Sequence, residues 1–81
     1  MAHINKVWKS IETSDGSHCV DFFERPEQTF GFEEYRRDAE DLSGWFVIGN
    51  FSSRIFINKI DTIEVASILI PWIVARIKRD R

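Results

Sequence analysis

One short segment of the chain carries the residue types that nucleophilic or metal chemistry needs. His18, Cys19 and Asp21 lie within four consecutive positions. Because successive side chains of a strand point to opposite faces, Cys19 and Asp21 share a face from which His18 points away. A thiol–imidazole pair would need His3 or a second chain, and a metal site would need more ligands than two histidines and one cysteine supply. The sequence therefore predicts a structural cysteine, no catalytic residue and no metal.

Two other polar segments could serve a ligand. The run Glu33–Arg37 alternates its charges between the two faces of a strand, which favours a solvated hairpin end with cross-strand ion pairs over a small polar pocket or a partner contact. The segment Gly49–Arg54 has the composition of a phosphate-binding loop, but it lacks the glycine spacing and the following helix N-terminus. It is interpreted as a turn. We expect a protein that is not an enzyme and that holds no cofactor.

Period-two alternation in the first half of the chain predicts three β-strands, over 7–13, 18–24 and 29–37. Asp15-Gly16 joins the first two as a type I′ hairpin turn, which needs positive φ at both central positions. Pro26 is well placed at the corner of the next turn. The registers that follow are Ile11 opposite Val20 and Ser10 opposite Asp21, then Phe22 opposite Phe32 and Phe23 opposite Gly31.

This register divides the side chains between two faces of the sheet. The face expected beneath the helix carries Val7, Ile11, Val20, Phe22, Phe30 and Phe32. The outer face carries Trp8, Cys19, Phe23 and Tyr35 among Ser10, Glu12, Asp21, Glu33 and Arg37. The outer face is thus mostly polar, with aromatic rings laid across it.

The middle of the chain completes the sheet. A polar and mobile loop over 38–44 precedes a fourth strand over 45–49, whose lack of alternation indicates that both of its faces are covered. Residues 54–57 then form a short fifth strand or an extended approach to the helix. We predict a single α+β domain over 1–81. A four- to five-stranded antiparallel meander over 1–57 is covered on one face by a helix over 58–81.

The helix over 58–81 has favourable end residues and one awkward interior residue. Asn58 is a good N-cap, and Asp61 can reach back to it in a variant capping box. Pro71 removes one helical hydrogen bond at a cost of roughly 3 kcal/mol. The helix therefore either kinks at Pro71, which is the preferred interpretation, or ends near Ile70 so that a second helix begins with Pro71.

Apolar residues occur all round this helix. One stripe, enough to cover a small sheet, consists of Ile63, Ala66, Ile70, Ile73, Val74 and Ile77. A second stripe on the opposite side consists of Val65, Ile68, Leu69 and Trp72. A helix that is apolar all round is normally buried all round, yet 81 residues leave little material for a second covering layer. The uncharged run of eleven residues is far shorter than the roughly 18–20 that a membrane span needs.

The second stripe is therefore predicted to meet a partner, most simply a second copy of the chain. Acidic residues border the stripe at its start and basic residues at its end, namely Asp61 and Glu64, then Arg76 and Arg79. Two such helices packed antiparallel about a two-fold axis would set acid against base at both ends. Interaction with the helix dipole alone would explain these charges equally well, because acidic residues stabilise the start of a helix and basic residues its end. A small homodimeric protein-interaction module, which could also bind another protein, is the predicted function.

The alternative function is single-stranded nucleic-acid binding by the outer face of the sheet. The residues concerned are Trp8, Phe23, Tyr35 and Arg37, with Lys6 or Arg25 at the margins. Aromatic platforms with basic edges are what stacking of bases requires. Carboxylates on the same predicted face would repel phosphates, and the net charge of −2 disfavours a duplex-DNA binder. Nucleic acid is thus the less favoured partner.

The chain length and the cysteine content indicate how the fold is stabilised and in which cellular compartment the protein is expected. Eighty-one residues make one small domain, whose core relies on seven Phe, three Trp and one Tyr. A single cysteine forms no internal disulfide, which favours a reducing compartment. The N-terminal residues lack the basic region and the apolar run of a signal peptide. We expect a cytoplasmic protein without a membrane segment.

Overall fold

The computed structural model describes residues 4–38 and 44–79, without the side chains of residues 78 and 79. A four-stranded antiparallel sheet in the order β1-β2-β3-β4 is followed by two helices. The elements are β1 Lys6–Glu12, β2 His18–Glu24, β3 Phe30–Arg36, β4 Phe46–Val47, α1 Lys59–Leu69 and α2 Trp72–Arg79. The predicted α+β meander is confirmed, with two short helices in place of one. Most of the loop predicted over 38–44 lies outside the described residues.

Both predicted hairpin registers are confirmed. In the first hairpin, Ile11 pairs with Val20 and Ser10 with Asp21. In the second, Phe22 pairs with Phe32 and Phe23 with Gly31. Alternation along β2 and β3 therefore sends the predicted side chains to the predicted faces of these two strands.

The turn between β1 and β2 is not the predicted type I′ turn. Gly16 has a φ of +72°, whereas the φ of Asp15 is not positive. The Asp15 side chain instead accepts hydrogen bonds from the Thr13 hydroxyl at 2.7 Å and from the Ser17 backbone N–H at 3.0 Å. These hydrogen bonds lower the pKa of Asp15 to about 2. A turn built on an Asp side chain therefore closes the hairpin in the expected register.

β1 contains a β-bulge at Trp8. Val7 pairs with Phe23 whereas Lys9 pairs with Phe22, so Trp8 is an extra residue. The bulge exchanges the faces at the start of β1. Val7, predicted beneath the helix, is exposed. Trp8, predicted on the outer face, packs on the Phe22 ring with 5.4 Å between ring centroids. Both predictions are wrong for the same reason.

The core lies between the sheet and the helices. Its buried members are Ile11, Val20, Phe22, Phe32, Ala66, Ile70 and Ile73, and the partly buried side chains packed on them are Trp8, Phe51, Phe56, Ile63, Val65, Trp72 and Ile77. The Phe32 ring lies 5.2 Å from the Phe51 ring and 5.9 Å from the Phe56 ring, centroid to centroid. Phe30, predicted for this face, is only half-buried. Aromatic rings thus supply much of the burial in this small domain.

Two short segments pair with β3 on the side away from β2. The predicted fourth strand is reduced to Phe46–Val47, paired with the end of β3, and both of its side chains are exposed. The expectation that both faces of this strand are covered is therefore wrong. The predicted fifth strand is reduced to one bridge, in which Phe56 exchanges two backbone hydrogen bonds with Phe30, of 2.8 Å and 3.0 Å.

The loop between these segments is held by the buried side chain of Glu33. Its carboxylate accepts hydrogen bonds from the backbone N–H of Phe51 at 3.1 Å and of Ser52 at 3.0 Å. The Arg54 N–H donates to the Phe51 carbonyl at 3.0 Å, which confirms the predicted turn. Glu33 thus serves the loop rather than a cross-strand ion pair.

The helical segment is interrupted at Ile70 and Pro71. Ile70 has φ −129° and ψ 76°, outside the helical region, as expected for a residue that precedes proline. α2 begins directly after Pro71. The preferred continuous helix is therefore wrong, and the alternative of a second helix starting at Pro71 describes the chain. The Val74 N–H still donates to the Pro71 carbonyl at 3.2 Å.

The predicted N-cap of α1 is confirmed. The Asn58 side-chain oxygen accepts a hydrogen bond from the Asp61 N–H at 2.8 Å, and its amide group donates to the Asp61 carboxylate at 3.3 Å. α1 packs on β3 and α2 on β1, so the two helices share one face of the sheet. No helix in the described part of the chain is long and apolar enough to cross a membrane.

Candidate interaction surfaces

α1 packs on the sheet through a narrow strip of small side chains. Thr62 and Ala66 are fully buried, and the Thr62 hydroxyl donates to the Asn58 carbonyl at 2.7 Å. The exposed side chains opposite this strip, together with the exposed Ile57 before the N-cap, form the α1 outer face, which we define as Ile57, Ile60, Asp61, Glu64 and Ile68. Ile57, Ile60 and Ile68 are 80%, 70% and 75% exposed. The chain covers one side of α1 and leaves these isoleucines in solvent.

The predicted second stripe is split between solvent and core. Ile68 and Leu69 are exposed, whereas Val65 and Trp72 pack against the core. The Trp72 indole N–H donates to the Glu34 carboxylate at 3.0 Å. Its ring and the His18 ring lie in a T-shaped arrangement with 6.5 Å between their centroids. The break at Pro71 explains this split, because it turns α2 relative to α1 and brings Trp72 onto the sheet.

The charged residues predicted to border the stripe also separate. Asp61 and Glu64 are exposed on the α1 outer face. Arg76 is half-buried and lines a groove beside Glu12, on the far side of β1. The side chain of Arg79 lies outside the described residues. The acidic half of the predicted charge pattern is therefore in place, and Arg76 serves another surface.

The outer face of the sheet offers fewer open rings than predicted. The Phe23 side chain is buried, and its ring lies against Gly31, where a Cβ would come within 2.9 Å of the ring. The Arg25 guanidinium covers the same ring at 5.0 Å from its centroid. Arg25 also donates to the carbonyl of Ser52 at 2.7 Å, so it ties the loop to the second hairpin. With Trp8 on the opposite face, the predicted stacking platform is incomplete.

Arg37 is engaged within its own chain. Its guanidinium lies 4.6 Å from the ring centroid of Trp45, and its Nε donates to the Gly16 carbonyl at 2.9 Å. Tyr35 is half-buried nearby, and burial is the main cause that raises its pKa, with the charge of Asp21 adding to it. Arg37 thus positions Trp45 at the side of the outer face.

An open groove of about 530 Å³ lies between Trp45 and β1. Its lining consists of Ser10, Ile11, Glu12, Cys19, Asp21, Trp45 and Arg76. Asp21 Oδ1 accepts hydrogen bonds from the Ser10 hydroxyl at 2.6 Å and from the Cys19 thiol at 3.3 Å. We name this feature the outer groove. Sequence reasoning missed it, because Trp45 and Arg76 are far from β2 along the chain and no local pattern brings them together.

The predicted separation of His18 from Cys19 holds. His18 Nδ1 lies 2.9 Å from the Ser17 hydroxyl. Burial raises the pKa of the Cys19 thiol to about 12, and the hydrogen bond and negative charge of Asp21 act in the same direction. A thiol with this pKa is protonated at neutral pH, which disfavours a nucleophilic role. In the described residues, no group of three or more His, Cys, Asp or Glu is placed to hold a metal ion.

Comparison of the chain with family models, with curated proteins and with solved structures finds no match. Among the described residues, the α1 outer face combines exposed isoleucines with acidic side chains, and the outer groove combines charges of both signs. Sequence reasoning found only part of the first. Ile60 lies two helical turns before Ile68, so the helical period could have found it.

Proposed function

We propose that the protein is a small interaction module that homodimerises through the α1 outer face. The observation that carries the proposal is the exposure of Ile60 and Ile68, two turns apart on one side of α1, with the exposed Ile57 directly before the N-cap of the helix. Grouped large aliphatic side chains on a monomer commonly mark an interaction site. Burying each of them against a partner would contribute about 1.5–3 kcal/mol.

The geometry of the α1 outer face supports a second copy of the chain as the occupant. In an antiparallel pair about a two-fold axis, Ile60 and Ile68 of one α1 meet the same residues of the partner's α1, which is the self-complementarity that a two-fold contact requires. An axis through Glu64 would set two carboxylates face to face. The favoured axis therefore passes nearer to Ile68 and Leu69.

The proposal includes a non-enzymatic role in a reducing compartment such as the cytoplasm. The single cysteine is a buried free thiol, and no disulfide supports the fold. Small domains of oxidising compartments commonly depend on disulfides. The core of aromatic rings replaces that support.

Two isoleucines with the same exposure provide a matched experiment. Ile68 lies on the α1 outer face and Ile4 lies before β1, and both are 75% exposed. Sedimentation equilibrium should give the same dimerisation constant for wild type and Ile4→Glu, and a dimer at least tenfold weaker for Ile68→Glu. Circular dichroism should show all three proteins folded. A wild type that stays monomeric at high micromolar concentration would overturn the homodimer, as would equal weakening by both substitutions.

Single-stranded nucleic-acid binding by the sheet stays a prediction with less support. Of its four residues, Trp8 faces the helices, Phe23 is buried and Arg37 is stacked on Trp45. A fluorescence titration with a mixed oligonucleotide at low salt separates the two functions. The dimer proposal expects no quenching, and saturable quenching with steep salt dependence would favour the alternative.

A further inference from the structure

The outer groove carries charges of both signs that do not pair with each other. Glu12 and Asp21 line one part of it, and the half-buried Arg76 reaches it from α2. In the described part of the chain, none of these three residues forms an ion pair. A partly desolvated guanidinium and two carboxylates across an open space of about 530 Å³ suit a ligand that has both charges.

The carboxylate of Asp21 is fixed in orientation. Ser10 and Cys19 both donate to Oδ1, which leaves Oδ2 without a donor among the described residues. A carboxylate held in place loses little freedom when it binds a cation, and such preorganisation favours affinity. After burial, the negative charge of Asp21 is a further cause of the raised pKa of Cys19 and of Tyr35 beside it.

A smaller and largely apolar cleft of about 110 Å³ continues from the groove. Its lining consists of Cys19, Asp21, Tyr35 and Trp45. An apolar cavity of about 150 Å³ accepts a benzene ring. The cleft is smaller than that, so its size favours a branched aliphatic group over an aromatic ring.

We propose that the outer groove binds a small zwitterion, an α-amino acid with an aliphatic side chain. The ammonium group binds Asp21 and Glu12, and the carboxylate binds Arg76. The side chain enters the cleft between Tyr35 and Trp45. The site shares no residue with the α1 outer face, so it stands independently of the proposed dimer.

Ligands that differ by one charge test the assignment. L-leucine, N-acetyl-L-leucine and L-leucinamide are titrated into the ¹⁵N-labelled protein and followed by NMR. The proposal expects saturable shifts of the Ser10 and Cys19 amides with L-leucine, at a dissociation constant of roughly 1 mM. The acetylated compound lacks the cation and the amide lacks the anion, so each should bind at least tenfold more weakly. L-phenylalanine should also bind more weakly than L-leucine.

Variants with matched controls complete the test. Asp21→Asn and Arg76→Gln should each weaken L-leucine at least tenfold. Glu27→Gln and Arg54→Gln remove exposed charges outside the groove and should leave the affinity unchanged. If Asp21→Asn loses the dispersed NMR spectrum of a folded protein, the affinity of Arg76→Gln for L-leucine tests the proposal by itself. Equal shifts from all three leucine compounds, or no saturation by roughly 20 mM L-leucine, would overturn the proposal.

Discussion

α1 and α2 both contain many apolar residues, yet they use them differently. α1 buries the small side chains of Thr62 and Ala66 and leaves Ile60 and Ile68 in solvent. α2 places Ile73 fully in the core and packs Trp72 against it. The difference follows from the break at Pro71, because the change of direction there brings the second helix onto β1. The pattern also differs, because the apolar residues of α2 lie on one side of the helix whereas those of α1 lie all round it.

The two helices also differ in what holds them. The N-terminus of α1 is fixed by side-chain hydrogen bonds between Asn58 and Asp61. α2 lacks an acidic residue in its first turn and depends on packing and on the hydrogen bond from Trp72 to Glu34. Substitutions in α1 should therefore change local stability and association, whereas substitutions in α2 should change global stability.

The largest expected effect separates two isoleucines of different burial. Ile73→Ala should lower the free energy of unfolding by about 2–5 kcal/mol, because it opens a cavity in the core. Ile68→Ala should change it by less than about 0.5 kcal/mol in the monomer, since Ile68 is 75% exposed. Urea denaturation at low protein concentration measures both. Similar losses for the two variants would mean that Ile68 is buried in its own subunit as Ile73 is.

A smaller effect concerns the hydrogen bond that anchors α2. Trp72→Phe keeps most of the ring but removes the N–H donor to Glu34, and it should cost about 1–2 kcal/mol. Glu34→Gln keeps an acceptor at the same place and should cost less. A double-mutant cycle of Trp72→Phe with Glu34→Ala, which removes the acceptor, gives the coupling energy between the two positions by urea denaturation. A coupling energy near zero would show that ring packing alone holds α2.

The N-cap of α1 provides the next prediction. Asn58→Ala removes the acceptor of the Asp61 N–H and should cost about 1 kcal/mol. Native-state hydrogen exchange should become faster in α1 and change less in α2, because the lost bond is local. Equal acceleration in both helices would show that they open as one unit.

The smallest effect is expected at the break itself. Pro71→Ala relieves the constraint on Ile70 and should lower stability by about 0.4–1 kcal/mol, mainly through greater freedom of the unfolded chain. Burial of Ile70 and Ile73 should keep the two helices separate. NMR chemical shifts of the Ile70 backbone report on this. A helical shift at Ile70, with Trp72 released from Glu34, would show that proline alone sets the break.

Much of the sheet could be predicted from the sequence because its rules are local. A short turn between two alternating segments sets the register of the first hairpin, and Phe22 opposite Phe32 follows for the second. The details of the Asp15 turn were wrong, yet the register survived. Side-chain alternation, once the register is correct, distributes the remaining residues of β2 and β3.

The parts that could not be predicted depend on single-residue departures from regular geometry. The bulge at Trp8 moves a tryptophan from one face to the other without any sign in the alternation. Pro71 is compatible with a kinked helix, which is the preferred prediction, and with a second helix that starts there, and the local sequence does not distinguish the two. The outer groove needs Trp45 and Arg76 from distant segments, so only the folded chain assembles it.

Solvent accessibility of isoleucine methyl groups tests the central claim most directly. A soluble paramagnetic agent is added to methyl-labelled protein at low and at high protein concentration. At low concentration, Ile60 and Ile68 should be strongly broadened whereas Ile70 and Ile73 are not. At high concentration, Ile60 and Ile68 should become protected as the second copy covers them. Protection of Ile68 at every concentration would place it in the core of its own subunit, and exposure at every concentration would show that no copy covers it.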